Sequence, residues 1–245
     1  SFLISFLLPT VGVASTFWMA GLLTLIPVFL TFFAREPNAQ AAGKPAGKQK
    51  LNLGELFQNR AYVSFLVFDF LLYTGTNCEG TFLPYFMADA NIPSERYGIF
   101  LGARALLEIP FLLLMVRLRR RFPLRVLVMG PPILMGLECL FLGLWANSFW
   151  SMLLCCTFYG LGNGLLIGSS LNYVYELAPA HLKASAQAFF SAVSSVAGIL
   201  GNLVGGMVYD AVGARPFYLL VAAVFALSFA VFFLTQRKRS ASAHS

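Results

Sequence analysis

Long apolar runs separated by short polar connections dominate the pattern of this chain. Seven runs are close to the length of about 20 residues that an α-helix needs to cross a bilayer, and an opening run at 1–11 is shorter. The seven runs cover residues 16–34, 61–87, 96–116, 124–146, 150–174, 184–209 and 216–235. The pattern predicts an all-α membrane protein, and the short opening run predicts the tail of a helix whose beginning lies upstream.

One longer polar stretch divides these runs into two groups. Residues 36–60 are rich in Ala, Gly, Lys and Gln, which is typical of a flexible linker, with a short amphipathic turn expected at 51–57. The predicted domains are therefore the end of a first helical bundle, a cytoplasmic linker, a six-helix transmembrane bundle and a cytoplasmic tail. Their boundaries are 1–35, 36–60, 61–236 and 237–245.

Composition excludes an ordinary soluble domain. Hydrophobic residues make up 58% of the chain and charged residues only 11%, whereas about 25% charged residues are usual in soluble proteins.

Fourteen of the 17 Lys and Arg residues lie in one alternating set of connections between the apolar runs. Because positive residues favour cytoplasmic loops, we expect a multi-pass cell-membrane protein with a cytoplasmic C-terminus. The net charge of +7 comes from these loops, so no nucleic-acid partner is expected.

Two charged residues, Arg104 and Glu108, stand inside the apolar run at 96–116. Charges at the bilayer centre cost at least about 2.5–3.5 kcal/mol each, so they normally face the protein interior or a cavity. Spacing i, i+4 places both on one helix face, where they can neutralise each other. The sequence predicts an Arg104–Glu108 pair, which either couples protons to solute movement or holds its helix in one orientation.

Further polar residues lie in the other runs. Asp69, Asn77 and Glu79 share the run at 61–87, where Gly75 and Gly80 predict a weakened helix of the kind that builds transporter sites. Substrate contact or a wet vestibule remain alternatives for Asn77 and Glu79, and Asp69 is a candidate for proton coupling or for contact with the missing half. Asn163 and Asn172 are candidates for polar contacts, and a structural role is expected for Glu138.

Small residues recur every four positions in two runs. Gly160, Gly164 and Gly168 form one series, and Ala197, Gly201 and Gly205 form the other. Such spacing puts small residues on one helix face and permits close packing of membrane helices.

Neither histidine joins a metal-ligand or nucleophile pattern, and the adjacent Cys155 and Cys156 lack metal-ligand spacing. No metal, cofactor or enzymatic activity is expected.

The six runs after the linker resemble the C-terminal half of the major facilitator superfamily. The basic loop 117–125 resembles that superfamily's loop motif, although it lacks the usual acidic residue. Residues 107–110, 75–77 and 84–86 are similar to the sugar-efflux branch, and residues 185–213 to a broader group of sugar, nucleoside and phenylpropionate proton symporters. The resemblance implies a major facilitator-type helical bundle: the C-terminal six-helix half plus about the last helix of the N-terminal half.

The resemblance also implies a function. A secondary active transporter would move a small organic solute, with a sugar expected first, by proton-coupled alternating access between this half and a missing N-terminal half. A nucleoside, an aromatic acid or a drug is the alternative solute. A membrane sensor that does not transport and a membrane-embedded enzyme are the alternatives from other classes.

Overall fold

The computed structural model describes Leu25 and residues 53–242, with side chains described as far as residue 237. Apart from Leu25, the predicted first bundle at 1–35, the linker as far as residue 52 and the last three residues of the tail lie outside the described residues. Residues 53–242 contain helices and no strand. The helices are α1 (Leu53–Gln58), α2 (Arg60–Asp89), α3 (Glu95–Arg121), α4 (Leu124–Leu127), α5 (Gly130–Leu144), α6 (Phe149–Leu177), α7 (Lys183–Val212) and α8 (Ala214–Ser242), with a 3-10 turn at Ala180–Leu182.

Five helical segments are long and apolar enough to cross a membrane. They are Glu95–Arg121, Leu124–Leu144, Phe149–Leu177, Ala180–Val212 and Ala214–Arg237, and each overlaps a predicted span. Helix α2 is 30 residues long but is not among them, because its polar residues lower its hydropathy. The segment predicted at 124–146 is divided into α4 and α5, since Pro131 and Pro132 lack backbone donors and occupy the start of α5.

Sequence signals explain where two of the long helices begin. The side chain of Asn59 accepts hydrogen bonds from the backbone of Ala61 and Tyr62 at the start of α2. Ser148 and Ser151 form a reciprocal capping box at the start of α6. Both caps satisfy backbone N–H groups that have no partner within the first helical turn.

Helix α2 packs against α7 and α8. Helix α3 packs against α6, and α5 joins the two groups through contacts with both α6 and α8. Aromatic rings fill the α2–α6–α7–α8 junction: the Phe65 ring lies 5.0 Å from Tyr173 and 6.0 Å from Phe190. This arrangement brings polar residues of α2, α3, α5 and α6 together in one interior.

The two series of small residues lie at helix crossings. A Cβ atom added at Gly160, Gly164 or Gly168 would lie 2.6–2.9 Å from side-chain atoms of α3. A Cβ at Gly201 would lie 3.1 Å from the Thr74 carbonyl oxygen, and one at Gly205 would lie 3.0 Å from Cys78 Sγ on α2. These distances are shorter than normal carbon contacts, so α3–α6 and α2–α7 approach more closely than larger residues would allow.

The weakening predicted around Gly75 and Gly80 is wrong. Helix α2 runs without interruption from Arg60 to Asp89. A Cβ atom added at Gly75 would lie 2.9 Å from the Phe225 ring of α8, so this glycine makes room for an aromatic side chain. Nothing lies within 4 Å of a Cβ atom added at Gly80. Glycine at position 75 therefore serves close packing and not helix breaking.

Candidate functional site

A buried ionic cluster joins three helices. Nη2 of Arg104 on α3 donates to Oε1 of Glu79 on α2 at 2.7 Å and to Oε1 of Glu138 on α5 at 3.1 Å. Both glutamates are fully buried and Arg104 is only 5% exposed. We call Glu79, Arg104 and Glu138 the ionic cluster. One guanidinium nitrogen serves two carboxyl groups that come from different helices.

Aromatic rings surround the guanidinium. Its Cζ atom lies 3.4 Å from the centre of the Tyr159 ring of α6 and 5.5 Å from that of Phe100. A cation over a ring face gains about 2 kcal/mol or more when it is removed from water. The rings therefore help to hold Arg104 at a depth where water does not solvate it, and Tyr159 brings a fourth helix to the site.

The predicted Arg104–Glu108 ion pair is wrong. Arg104 pairs with the glutamates of α2 and α5, and no ion pair joins it to Glu108 among the residues that the structure describes. Helical side chains lean toward the N-terminus, and Arg104 lies beside Phe100, one turn earlier. Glu108 is half-buried, and its backbone oxygen lies 3.1 Å from a Cβ atom added at Gly164.

The ionic cluster is electrostatically incomplete. It contains two carboxyl groups and one guanidinium, so with both glutamates ionised it would carry one excess negative charge. Glu79 Oε2 and Arg104 Nε are buried and have no hydrogen-bond partner among the described residues. A buried, unpaired charge costs several kcal/mol. One proton on a carboxyl group would remove that charge.

Asp69 is a second buried acid, on α2. Its side chain is fully buried, and Oδ2 lies 2.8 Å from Ser194 Oγ on α7. Oδ1 has no hydrogen-bond partner in the described part of the chain, and no basic side chain there forms an ion pair with Asp69. Asp69 therefore differs from the ionic cluster, because its carboxyl group has no cation beside it.

A polar pocket opens between α2 and α7 beside Ser194. It has a volume of about 400 Å³, within the usual range for small-molecule pockets. Asn77 on α2 lines it, and its Nδ2 donates to the Tyr73 carbonyl oxygen at 2.8 Å. We call this the α2–α7 pocket, and its lining residues are Tyr73, Asn77, Ser194, Ser195, Gly198, Ile199 and Asn202. Its lining offers hydroxyl and amide groups and one aromatic ring, but no charged side chain.

The remaining candidate residues lie on α6. Asn172 accepts a hydrogen bond from Arg119 Nη1 at 3.2 Å and donates to the Gly168 carbonyl oxygen at 2.8 Å. Asn163 is half-buried. Neither lines the α2–α7 pocket. Within residues 53–237, the acids, cysteines and histidine form no group of three that could hold a metal ion.

Sequence reasoning missed the contacts of two residues. A structural role was expected for Glu138 with no partner named, and in the structure it accepts a hydrogen bond from Arg104 and completes the ionic cluster. Its signal was visible, because any acid in an apolar helix needs a partner. Ser194 gave no comparable signal, since a lone serine in a membrane helix usually bonds its own backbone. Ser194 Oγ does bond its own helix, because it lies 2.9 Å from the Phe190 carbonyl oxygen one turn earlier.

Comparisons with known proteins agree with this architecture. A family model described as the MFS_1 like family matches residues 2–220. An uncharacterized transporter of Bacillus subtilis, YwbF, is 25% identical over 170 residues, which is 68% of this chain and 42% of YwbF. A crystal structure of the nucleoside transporter NupG matches with a TM-score of 0.69 at 18% identity, over 86% of this chain and 58% of NupG. The chain spans about half the length of these relatives.

Proposed function

Because this chain belongs to the MFS_1-like family, and is thus a multi-pass membrane protein of the major facilitator type, we propose that it forms the C-terminal half of a proton-coupled transporter for a small, neutral, hydroxyl-bearing solute. Family and fold point to a transporter and not to an enzyme. A sugar is the first candidate solute and a nucleoside is the second. An N-terminal half would supply the other wall of an alternating-access cavity.

One observation carries the proton coupling. Among the described residues, three acids are fully buried, namely Asp69, Glu79 and Glu138, and Arg104 is the single buried base. The excess carboxyl groups cannot all remain charged in an apolar interior, because each uncompensated charge costs several kcal/mol. Protons are the simplest ligands that restore neutrality. A carboxyl group that holds a proton in a dry interior and loses it when water arrives can couple proton movement to solute movement.

The lining of the α2–α7 pocket supports the class of solute. Ser194, Ser195, Asn77 and Asn202 present hydroxyl and amide groups, and Tyr73 adds a ring. Neutral hydroxyl groups can both donate to and accept from these side chains. An ionic solute would meet no opposite charge in this lining. A sugar matches these groups, and a nucleoside matches them through its ribose while its base could stack on an aromatic ring.

The test is uptake by the complete protein, as its gene encodes it, in proteoliposomes. Lactose, glucose and uridine should be supplied as labelled solutes with an imposed proton gradient. We expect at least one to accumulate above its external concentration, and a protonophore should abolish that accumulation. A matched control replaces the exposed Glu176 with Gln, which should accumulate the solute normally. Accumulation that ignores the proton gradient would contradict the proposal.

A further inference from the structure

We propose that Asp69 carries the proton that is linked to solute binding, and that Ser194 connects its carboxyl group to the α2–α7 pocket. This inference rests on the proposed function and assigns its coupling to one residue. It also sets the sign of the coupling: solute and proton bind together, as in a symporter.

The Ser194 hydroxyl group has two close oxygen neighbours and one hydrogen. Its Oγ lies 2.8 Å from Asp69 Oδ2 and 2.9 Å from the Phe190 carbonyl oxygen. If Asp69 is ionised, both neighbours are acceptors and the hydroxyl can satisfy only one. If Asp69 is protonated at Oδ2, it donates to Ser194, and Ser194 donates to Phe190. The protonated form therefore accounts for both short distances.

The surroundings of Asp69 also favour the neutral acid. On its own helix, the nearby titratable groups are the hydroxyls of Tyr62 and Tyr73. The glutamate of the ionic cluster on the same helix lies ten residues further along, about 15 Å at 1.5 Å per residue. The groups that other helices place against this part of α2 are uncharged: Ser194 and Phe190 of α7, Ser228 and Phe232 of α8, Tyr173 of α6 and Met135 of α5. Helix α1 contributes Glu55, which is exposed and lies 3.3 Å from His181.

The position of Ser194 connects this acid to the solute. Ser194 lines the pocket, and Asp69 lies behind it, fully buried. Water in an open pocket can reach Ser194 and help to solvate a carboxylate behind it. A bound solute excludes that water and makes the ionised form more costly. Solute therefore favours protonation of Asp69, and by reciprocity protonation of Asp69 favours solute.

The chemistry of the proton step is simple. At a pH below the titration point of Asp69, the carboxyl group holds its proton and the solute affinity of the pocket is at its maximum. Above that point the proton must be taken up on binding, so the solute affinity falls by about tenfold for each pH unit. On the opposite side of the membrane, release of solute admits water, and the proton leaves Asp69 to that water. No other group has to change its charge.

The test measures binding of labelled lactose and uridine to the complete protein as a function of pH. We expect the wild type to lose affinity at alkaline pH, and Asp69→Asn to bind with an affinity that does not change with pH. Asn has nearly the same volume as a neutral Asp and keeps an amide beside Ser194. The matched control, Asp89→Asn at the exposed end of the same helix, should keep the wild-type pH profile.

Infrared difference spectroscopy provides a readout that needs no solute. Raising the pH should remove a carbonyl band of a protonated carboxyl group from the wild type and from Asp89→Asn. The Asp69 contribution to that band should be missing in Asp69→Asn. An unchanged band in Asp69→Asn would overturn the assignment, because Asp69 would then not hold the proton.

A further variant separates the two proposals. If Glu138→Gln abolishes the pH dependence of binding while Asp69→Asn retains it, the ionic cluster carries the linked proton and the inference about Asp69 is wrong. Proton coupling itself would survive that result. If the wild type shows neither pH-dependent binding nor gradient-driven uptake, the proposed function is wrong.

Discussion

Arg104 is the residue on which the ionic cluster depends. Its Nη2 atom contacts carboxyl groups from two other helices, and the Tyr159 ring covers its guanidinium. Removal of the cluster's base would leave two buried carboxyl groups side by side. Loss of one partner from a buried ion pair typically costs about 3–5 kcal/mol. Arg104 is therefore expected to matter for folding before it matters for transport.

Replacement of Arg104 with Gln should strongly lower the thermal stability of the purified protein. The double variant Arg104→Gln/Glu138→Gln should recover part of the loss, because it also removes one uncompensated carboxyl group. Thermal unfolding in detergent measures both effects, and Arg121→Gln, at the exposed end of the same helix, is the control. Equal stability of Arg104→Gln and wild type would show that the cluster does not stabilise the fold.

At the level of residues, sequence reasoning found most of the charges but not their pairing. Arg104, Glu79 and Asp69 were recognised because charges are costly inside apolar helices. The partner of Arg104 was wrong because spacing along one helix reports only local neighbours. The true partners lie 25 and 34 residues away on other helices. Only the packing of α2, α3 and α5 brings them together.

At the level of elements, α3 and α6 depend on small residues for their close contact. A Cβ atom at Gly160 would lie 2.7 Å from Leu107 Cβ and 3.3 Å from the Arg104 carbonyl oxygen. Neither atom is the end of a flexible side chain. An added methyl group must therefore push the two helices apart, and it would displace Arg104 from its partners.

Gly160→Ala should lower the stability by about 1–3 kcal/mol through overpacking, partly offset by the better helix propensity of alanine. Gly80→Ala is the matched control, because nothing lies within 4 Å of its new Cβ atom and only the propensity gain remains. Thermal unfolding should show a lower melting temperature than wild type for Gly160→Ala and a slightly higher one for Gly80→Ala. A stability of Gly160→Ala equal to or above that of Gly80→Ala would contradict the close approach of α3 and α6.

The elements themselves were largely readable from the sequence. Apolar length located every long helix of residues 61–236, and small-residue spacing marked the faces at two crossings. Two details needed the tertiary structure. Helix α2 continues through Gly75 because Phe225 fills the space beside it, and Pro131 and Pro132 divide the predicted span at 124–146.

At the level of the whole molecule, the chain is a part-length member of the MFS_1-like family. It spans 42% of YwbF and 58% of NupG, and its polar pocket and buried acids occupy one helical unit. Family membership could be anticipated from the loop and helix motifs. The α2–α7 pocket could not, because its lining combines residues from α2 and α7 that are more than 110 positions apart. The cytoplasmic C-terminus and the cell-membrane location remain predictions from the distribution of Lys and Arg.

The most direct test of proton coupling follows proton movement when solute is added without an imposed gradient. Proteoliposomes that contain the complete protein should make a weakly buffered external medium alkaline when lactose or uridine enters, because each solute takes a proton with it. The same vesicles with Asp69→Asn should bind the solute without that change. Entry of solute into wild-type vesicles with no change in external pH would contradict the account.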